Sequence, residues 1–415
     1  MDNRTTRLAL LFVAVTLLQL RATPAAEMVG RRLPIWSPGM LDIHQISTGR
    51  GSCAFFVLPD GTTMILDAGE LPGYHPRYAP ARPDASRPAG EWLVRYIRRM
   101  HPRKDSPTID YALLTHCHGD HMGMFGKKSP PSASGAYRLT GITWIGDRIP
   151  IRKLIDHGWP DYAYPHPHQT GTDKNYRAFV EWQRKHNGLV PERFRPGRKD
   201  QVVLVHQPDQ HPGFEVRNIM ANGEIWTGVG QASRSVFPEP KEPDDIRATE
   251  NMSSLGVRLR YGRFDYFTGG DIPGVAEEGQ PDWYDVETPV AKVVGAVDVS
   301  VLNHHGYMDS QNPFFVSTLR PRVWVIPVWD SAHPTHRVWN RLQSTFLYPG
   351  PRDVFANNLH EANRVVVIGL DKLKSDRGHV VLRVEPGGGR YRVFILDDSA
   401  ETDKVTAVHG PYESR

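Results

Sequence analysis

Apolar positions along this chain follow two rhythms, one of strands and one of helices. Between residues 41 and 70, in LDIHQISTGRGSCAFFVLPDGTTMILDAGE, apolar residues alternate with polar ones on either side of Pro59, Asp60 and Gly61. This predicts a β-hairpin with a Pro-Asp-Gly turn. Residues 90–101, GEWLVRYIRRMH, place Trp92, Leu93, Tyr96 and Ile97 on one face and arginines on the other, the spacing of an amphipathic helix. A short apolar run over 109–114 then breaks into the polar THCHGDHMG, which predicts a buried strand delivering a loop at its C-terminal end.

Residues 126–216 differ in texture, being rich in Pro, His, Tyr and Trp. They contain one clear helical pattern, 173–186, which stops at Asn187 and Gly188. We read this region as an insertion. Its segment DHGWPDYAYPHPHQTG carries too many prolines for regular structure, and it fits a lid or cleft wall as well as an ordinary packed surface loop. Regular alternation returns at SLGVRLRYGRFDYFTGGD, a hairpin turning at Gly262 and Arg263 and ending at Asp271. VDVSVLNHHG and RPRVWVIPVWDSAHP each run a strand into a histidine-bearing loop, and a last hairpin turns at the glycines 387–389. Strands, helix, further strands and a closing helix imply two sheets with helices outside.

The first residues modify this picture only at the start of the chain. Arg4 and Arg7 precede an apolar run over 8–20, and small residues follow at Ala25 and Ala26. That is the layout of a cleaved signal peptide spanning 1–26, and the run is shorter than the roughly 20 residues that cross a bilayer. We therefore expect a secreted or periplasmic protein without a stable membrane anchor, with a single domain over 27–415. The net charge of +4 singles out no partner, and Arg and Lys are dispersed rather than gathered into a groove suited to nucleic acid. The short cluster Arg98, Arg99, Arg103 and Lys104 reads as a solvated helix end. Only Cys53 and Cys117 are present, so the fold is no disulfide scaffold and the two read as buried thiols.

Chemistry concentrates at three strand ends: His116, His118, Asp120 and His121; then Asp271; then His304 and His305. In an extended segment His116 and His118 point to one side and can grip one ion, while Asp120 and His121 on the following turn reach a second. Cys117 should then point away from that ion. Imidazole with carboxylate donors suits zinc best, with manganese or iron as alternatives. Two divalent ions are thus expected. Other histidines, among them His44, His157, His168, His206, His211 and His379, read as surface or hydrogen-bonded residues.

These motifs resemble the metallo-β-lactamase superfamily and, within it, the hydrolase domain of ComEC-type competence proteins. The resemblance runs through five blocks: ISTGRGSCAFFVLPDGTTMILDAGE, THCHGDH, ENMSSLGVRLRYGRFDYFTGGD, LNHHGYMDSQNPFFVSTLRPRVWVIPV and AHPTHRVWNRL. It implies an αββα sandwich with metals at one edge. His116 and His118 would hold the first metal, Asp120, His121 and His305 the second, and Asp271 would bridge both. Asp67 would support the metal loop from behind its ligands, His304 would steady the site, and His333 would contact substrate or leaving group. Asn251 stands where the wider superfamily often has a third histidine for the first metal, as it does in the ComEC-like subgroup, and His206 and His211 are candidate substitutes.

The implied activity is hydrolysis by a metal-bridging hydroxide, with Asp120 and Asp271 as catalytic residues and His333 as proton donor. The subgroup points to a phosphodiester, small or polymeric, with nucleic acid not favoured by any basic groove. A lactone- or β-lactam-type carbonyl hydrolase is the alternative activity, and a non-catalytic exported binding module the alternative class.

Overall fold

The computed structural model describes residues 25–165, 167–239, 247–276 and 279–415. The leader assigned to 1–26 lies outside them except for the backbone of its last two residues. Among the described residues no helix is long and apolar enough to cross a membrane.

Strands follow the alternation closely. They are β1 (Leu41–Gln45), β2 (Ala54–Val57), β3 (Thr63–Leu66), β4 (Ile109–Leu113), β5 (Ile151–Asp156), β6 (Val190–Arg193), β7 (Phe214–Ala221), β8 (Glu224–Trp226) and β9 (Ser233–Ser235). The second half adds β10 (Gly256–Tyr261), β11 (Phe264–Thr268), β12 (Val299–Val301), β13 (Val323–Ile326), β14 (Asp353–Ala356), β15 (His379–Val384), β16 (Arg390–Leu396) and β17 (Val405–Glu413). They form two mixed sheets, ordered β17-β16-β15-β1-β2-β3-β4-β5-β6 and β14-β13-β12-β11-β10-β7-β8-β9.

The period of two decides which sheet face each residue covers. Leu41, Ile43, Phe56, Met64 and Leu113 from one sheet meet Leu259, Phe264, Tyr266, Val299 and Val325 from the other in a shared core. Phe55 and Ile65 turn outward instead, under the helices Ala89–Met100, Ile142–Arg148 and Gly171–His186. On the far side, Phe267 and Trp324 pack under Glu287–Val294, Pro313–Leu319 and His336–Gln343. The layers are therefore helix, sheet, sheet, helix: an αββα sandwich, as expected.

The helix of residues 90–101 is Ala89–Met100. That of 173–186 starts earlier, at Gly171, because Thr170 and Asp173 form a reciprocal capping box. Within 126–216, β5 and β6 extend the first sheet in parallel beyond β4, so this segment is woven into the domain's body. The basic cluster divides: Arg99 is paired with Glu401 and Asp403 and Arg103 reaches Asp110, tying the helix to neighbouring segments, while Arg98 and Lys104 are exposed as a solvated helix end.

Two parallel runs, β3-β4-β5-β6 and β11-β12-β13-β14, deliver their C-terminal ends to the same edge of the sandwich. That is where open α/β sheets place ligands.

Candidate metal centre

The metal loop follows β4 and is seated by glycine. A Cβ at Gly69 would lie 1.9 Å from the Asp120 carbonyl oxygen, so only glycine lets the segment after β3 approach this closely. Asp67, at the end of β3, adopts φ 62°, a left-handed conformation that aims its carboxylate at the loop. His304 and His305 after β12 are left-handed as well, with φ 46° and 54°. Consecutive non-glycine residues in this region are costly, and such strain clusters at functional sites.

Asp271 organises the site. Its Oδ1 lies 3.2 Å from His121 Nε2 and 3.5 Å from His305 Nε2, while its Oδ2 lies 3.8 Å from His116 Nε2 and 3.9 Å from His304 Nε2. Asp120 Oδ2 completes the first group at 3.5 Å from His121 and 3.2 Å from His305. Asp120, His121, Asp271 and His305 thus have ligand atoms all within 4.8 Å of one another. On the other side, His118 Nδ1 is 3.0 Å from His116 Nε2. One carboxylate therefore parts two nests of donors.

The hydrogen bonds behind these rings assign their tautomers. Thr115 N and Oγ1 donate to Asp67 Oδ1 and Oδ2, at 2.7 and 2.9 Å. Its hydroxyl proton committed, Thr115 Oγ1 accepts from His116 Nδ1 at 3.1 Å. His121 Nδ1 donates to Asp67 Oδ2 at 2.7 Å, His305 Nδ1 to the Pro327 carbonyl at 2.9 Å, and His304 Nδ1 to Asp309 Oδ1 at 2.8 Å. All four thus turn bare Nε2 atoms inward, and those of His121 and His305 face each other at 3.1 Å. Two lone pairs at that distance require a cation or a proton between them. This is the carboxylate–histidine arrangement by which proteins orient imidazole ligands, and Asp120, His121, Asp271 and His305 fit a divalent ion.

The surrounding carboxylates favour positive charge at this point, whether a proton on the rings or a cation between them. Burial opposes a charge on His121, but Asp271, Asp67 and Asp120 outweigh it and raise its pKa well above the usual histidine value. His305 is likewise raised to about 9 against its burial, chiefly by Asp271 and Asp120. Burial also opposes ionisation of Asp271, yet His121, His305 and His304 hold it well below the usual carboxylate range.

Three further residues can be placed. His304, expected to steady the site, turns its Nε2 towards Asp271 Oδ2 at 3.9 Å. Asn251 approaches His304 Nε2 through Nδ2 at 3.3 Å, while its buried Oδ1 takes no hydrogen bond. His333 is 3% exposed and stacks on His305, centroids 4.8 Å apart and 20° between planes. Burial, together with His305 and His304, pushes its pKa well below the usual value. The ring so held braces His305. The proposed substitutes fall elsewhere: His206 contacts Arg103, and His211 packs near Tyr261. Cys53 and Cys117 are free thiols.

The site opens at the exposed His118. Beside it runs a groove whose lining includes Thr249, Asn251, Pro273, Tyr284 and Asp309.

No protein-family model and no curated protein matches the sequence. Among solved structures, the chain is similar to a protein described as a metal-dependent hydrolase from Parabacteroides distasonis ATCC 8503, with 12% identity and a TM-score of 0.35 over 77% of this chain and 94% of that one. It is also similar to CmlA, a diiron β-hydroxylase from Streptomyces venezuelae, with 14% identity and a TM-score of 0.39 over 84% of this chain and 55% of that one. A third is AbOPH, a hydrolase in the β-lactamase superfamily, with 11% identity and a TM-score of 0.31 over 85% and 94% of the respective chains. Likeness at this level leaves the chemistry to rest on the geometry above.

Proposed function

We propose that the protein is an exported metal-dependent hydrolase of the metallo-β-lactamase superfamily acting on a phosphodiester. The observation that carries the metal-dependent reading is the convergence of His121 Nε2 and His305 Nε2, 3.1 Å apart, on the carboxylates of Asp120 and Asp271. The phosphodiester assignment rests on the resemblance to the ComEC-type hydrolase domain, and export rests on the leader pattern of residues 1–26.

His116, His118, Asp271 and His304 would hold one ion, with Asn251 beside it, and Asp120, His121, Asp271 and His305 the other. Two divalent ions held this close, zinc foremost and manganese or iron as alternatives, lower the pKa of water towards neutrality and stabilise negative charge on an attacked phosphoryl or carbonyl group. The chain's own contribution is orientation. Asp271 presents one oxygen to each nest, Asp67 and Asp309 keep the ligand tautomers, and the stacked His333 restrains His305. A substrate would lie along the groove beside His118, with polar contacts from Thr249, Asn251 and Asp309.

The test is a hydrolysis panel on protein purified without chelator, read beside its metal content. Cleavage of small phosphodiesters that is lost in Asp271→Ala is the expected result. Turnover of lactones or β-lactams alone would overturn the phosphodiester assignment and favour the carbonyl reading, to which the apolar side of the groove at Pro273 and Tyr284 is suited. Full metal occupancy with no turnover across the panel would favour a binding module on this fold.

A further inference from the structure

A second group of metal-type donors lies on the opposite side of the metal loop. Cys117, between His116 and His118, turns its side chain away from the dinuclear nests. It meets His157 at the end of β5, His168 from the loop before the helix Gly171–His186, and Glu250 beside Asn251. One ligand atom from each of these four residues lies within 4.8 Å of the others. Cys117 Sγ is 3.7 Å from His157 Nε2, which is 2.9 Å from Glu250 Oε1, and His168 Nε2 is 3.3 Å from Glu250 Oε2. His157 is fully buried, and Glu250 and His168 are each 7% exposed.

Two details mark this as more than a packed polar cluster. Asn222 Nδ2 donates to the His157 carbonyl at 2.8 Å, so its Oδ1 accepts from His157 Nδ1 at 2.9 Å. In the neutral ring His157 Nε2 is then bare, yet it faces a carboxylate and a sulfur, both electron-rich. Glu250 Oε2 is buried with His168 Nε2 at 3.3 Å, while Oε1 accepts from Cys117 N at 2.6 Å. A cation would draw the bare nitrogen, the sulfur and the carboxylate together. With zinc bonds of about 2.0–2.3 Å and tetrahedral angles, ligand atoms sit about 3.3–3.6 Å apart, a spacing that small side-chain shifts would reach from a group whose ligand atoms all lie within 4.8 Å of one another.

We propose that Cys117, His157, Glu250 and His168 bind a third, zinc-type metal ion that staples the inserted segment to the back of the metal loop. Cys117 binds as thiolate, its proton leaving to solvent. His168 Nε2, also 3.2 Å from the Tyr164 carbonyl, turns to the ion with its proton moved to Nδ1, which faces Asp173 Oδ1 at 3.8 Å. Four protein ligands close the coordination sphere, the mark of a structural rather than a catalytic zinc site. The segment of mixed texture thereby gains a function, holding the loop that carries His116 and His118 against the sandwich.

Cobalt distinguishes this site from the dinuclear one, because only here is sulfur a ligand. The full chain, stripped of metal and titrated with Co²⁺, should take up three ions and develop a near-ultraviolet sulfur-to-cobalt charge-transfer band. Cys117→Ser should lose the band and one ion, while Cys53→Ser, in the core, should keep both. His168→Gln, which retains the thiol, should weaken the last-bound ion and alter the band should the serine variant fail to fold. One ion with the band would uphold this site while refuting the dinuclear centre. Two ions without a sulfur band at saturation, or none, would overturn the proposal.

Discussion

Asp67→Asn tests the tautomer argument at the hydrogen bond behind His121, while also removing a negative charge beside that ring. Asparagine has nearly the same shape and tolerates a left-handed backbone, so φ 62° adds little strain, whereas alanine would. Thr115 N, 2.7 Å from Oδ1, can only donate, so the amide oxygen must stay there and the NH₂ must occupy the place of Oδ2. Oδ2 now accepts from His121 Nδ1 at 2.7 Å. Facing a donor, Nδ1 must become the acceptor, which moves the ring proton to Nε2, the atom aimed at Asp271, Asp120 and His305. A protonated nitrogen cannot ligate. Loss of an orienting partner costs about 10–100-fold in metal affinity, and inversion of the tautomer places this variant at the upper end, about 2.8 kcal/mol. The assay is zinc affinity by chelator competition, with circular dichroism of the metal-free forms as the control for folding. Zinc binding by a folded Asp67→Asn within a few-fold of the parent would refute the assignment of tautomers.

Other consequences can be measured independently. Glu287 accepts from Asn303 Nδ2 and Gln311 N through Oε1 and from Asn312 N through Oε2, at 2.7, 2.7 and 2.6 Å, anchoring the loop that carries His304 and His305. Glu287→Ala strands these buried donors at ~1–3 kcal/mol each, so urea unfolding should show a loss of about 3 kcal/mol or more; a loss below 1 kcal/mol would contradict the anchoring role. His379, whose Nδ1 accepts from Ser47 N, is pushed down to about 3 by burial, with Arg99 and His44 adding to the effect. The unfolded chain therefore binds a proton that the folded chain refuses between about pH 6.5 and 3, so this stability is present above that window and lost as pH falls through it. His379→Gln should remove up to about 1.4 kcal/mol per pH unit from the slope of unfolding free energy in that range, and an unchanged slope would exclude the ring as its source. Chelation should lower the melting temperature, since ligand at 100 times its Kd contributes about 2.7 kcal/mol to the folded state; identical melts with and without chelator would speak against a bound metal.

The sequence by itself determined what depends on local order. Period-two alternation assigned Phe56 and Phe55 to opposite faces of one strand, the helical stripe of Trp92, Leu93, Tyr96 and Ile97 found its element, and HCHGDH declared its donors within six residues. Strands with weaker signals escaped notice: β6, with exposed ends and a proline, and β17, interrupted by Gly410 and Pro411, are strands because a neighbour's edge pairs with them. The donor set was legible as residue types, but the tautomer of each ring was not, because it depends on atoms distant in the chain. Pro327 lies 22 residues from His305 and Asp67 54 residues from His121. His157 and His168 fall in no motif, and Glu250 stands in the ENMSS block only as the neighbour of Asn251; they meet Cys117 only because β5 lies beside β4 and a later loop closes over both. Strand pairing and sheet packing brought these side chains together, and tertiary structure alone decided which histidines face a ligand and which merely fill space.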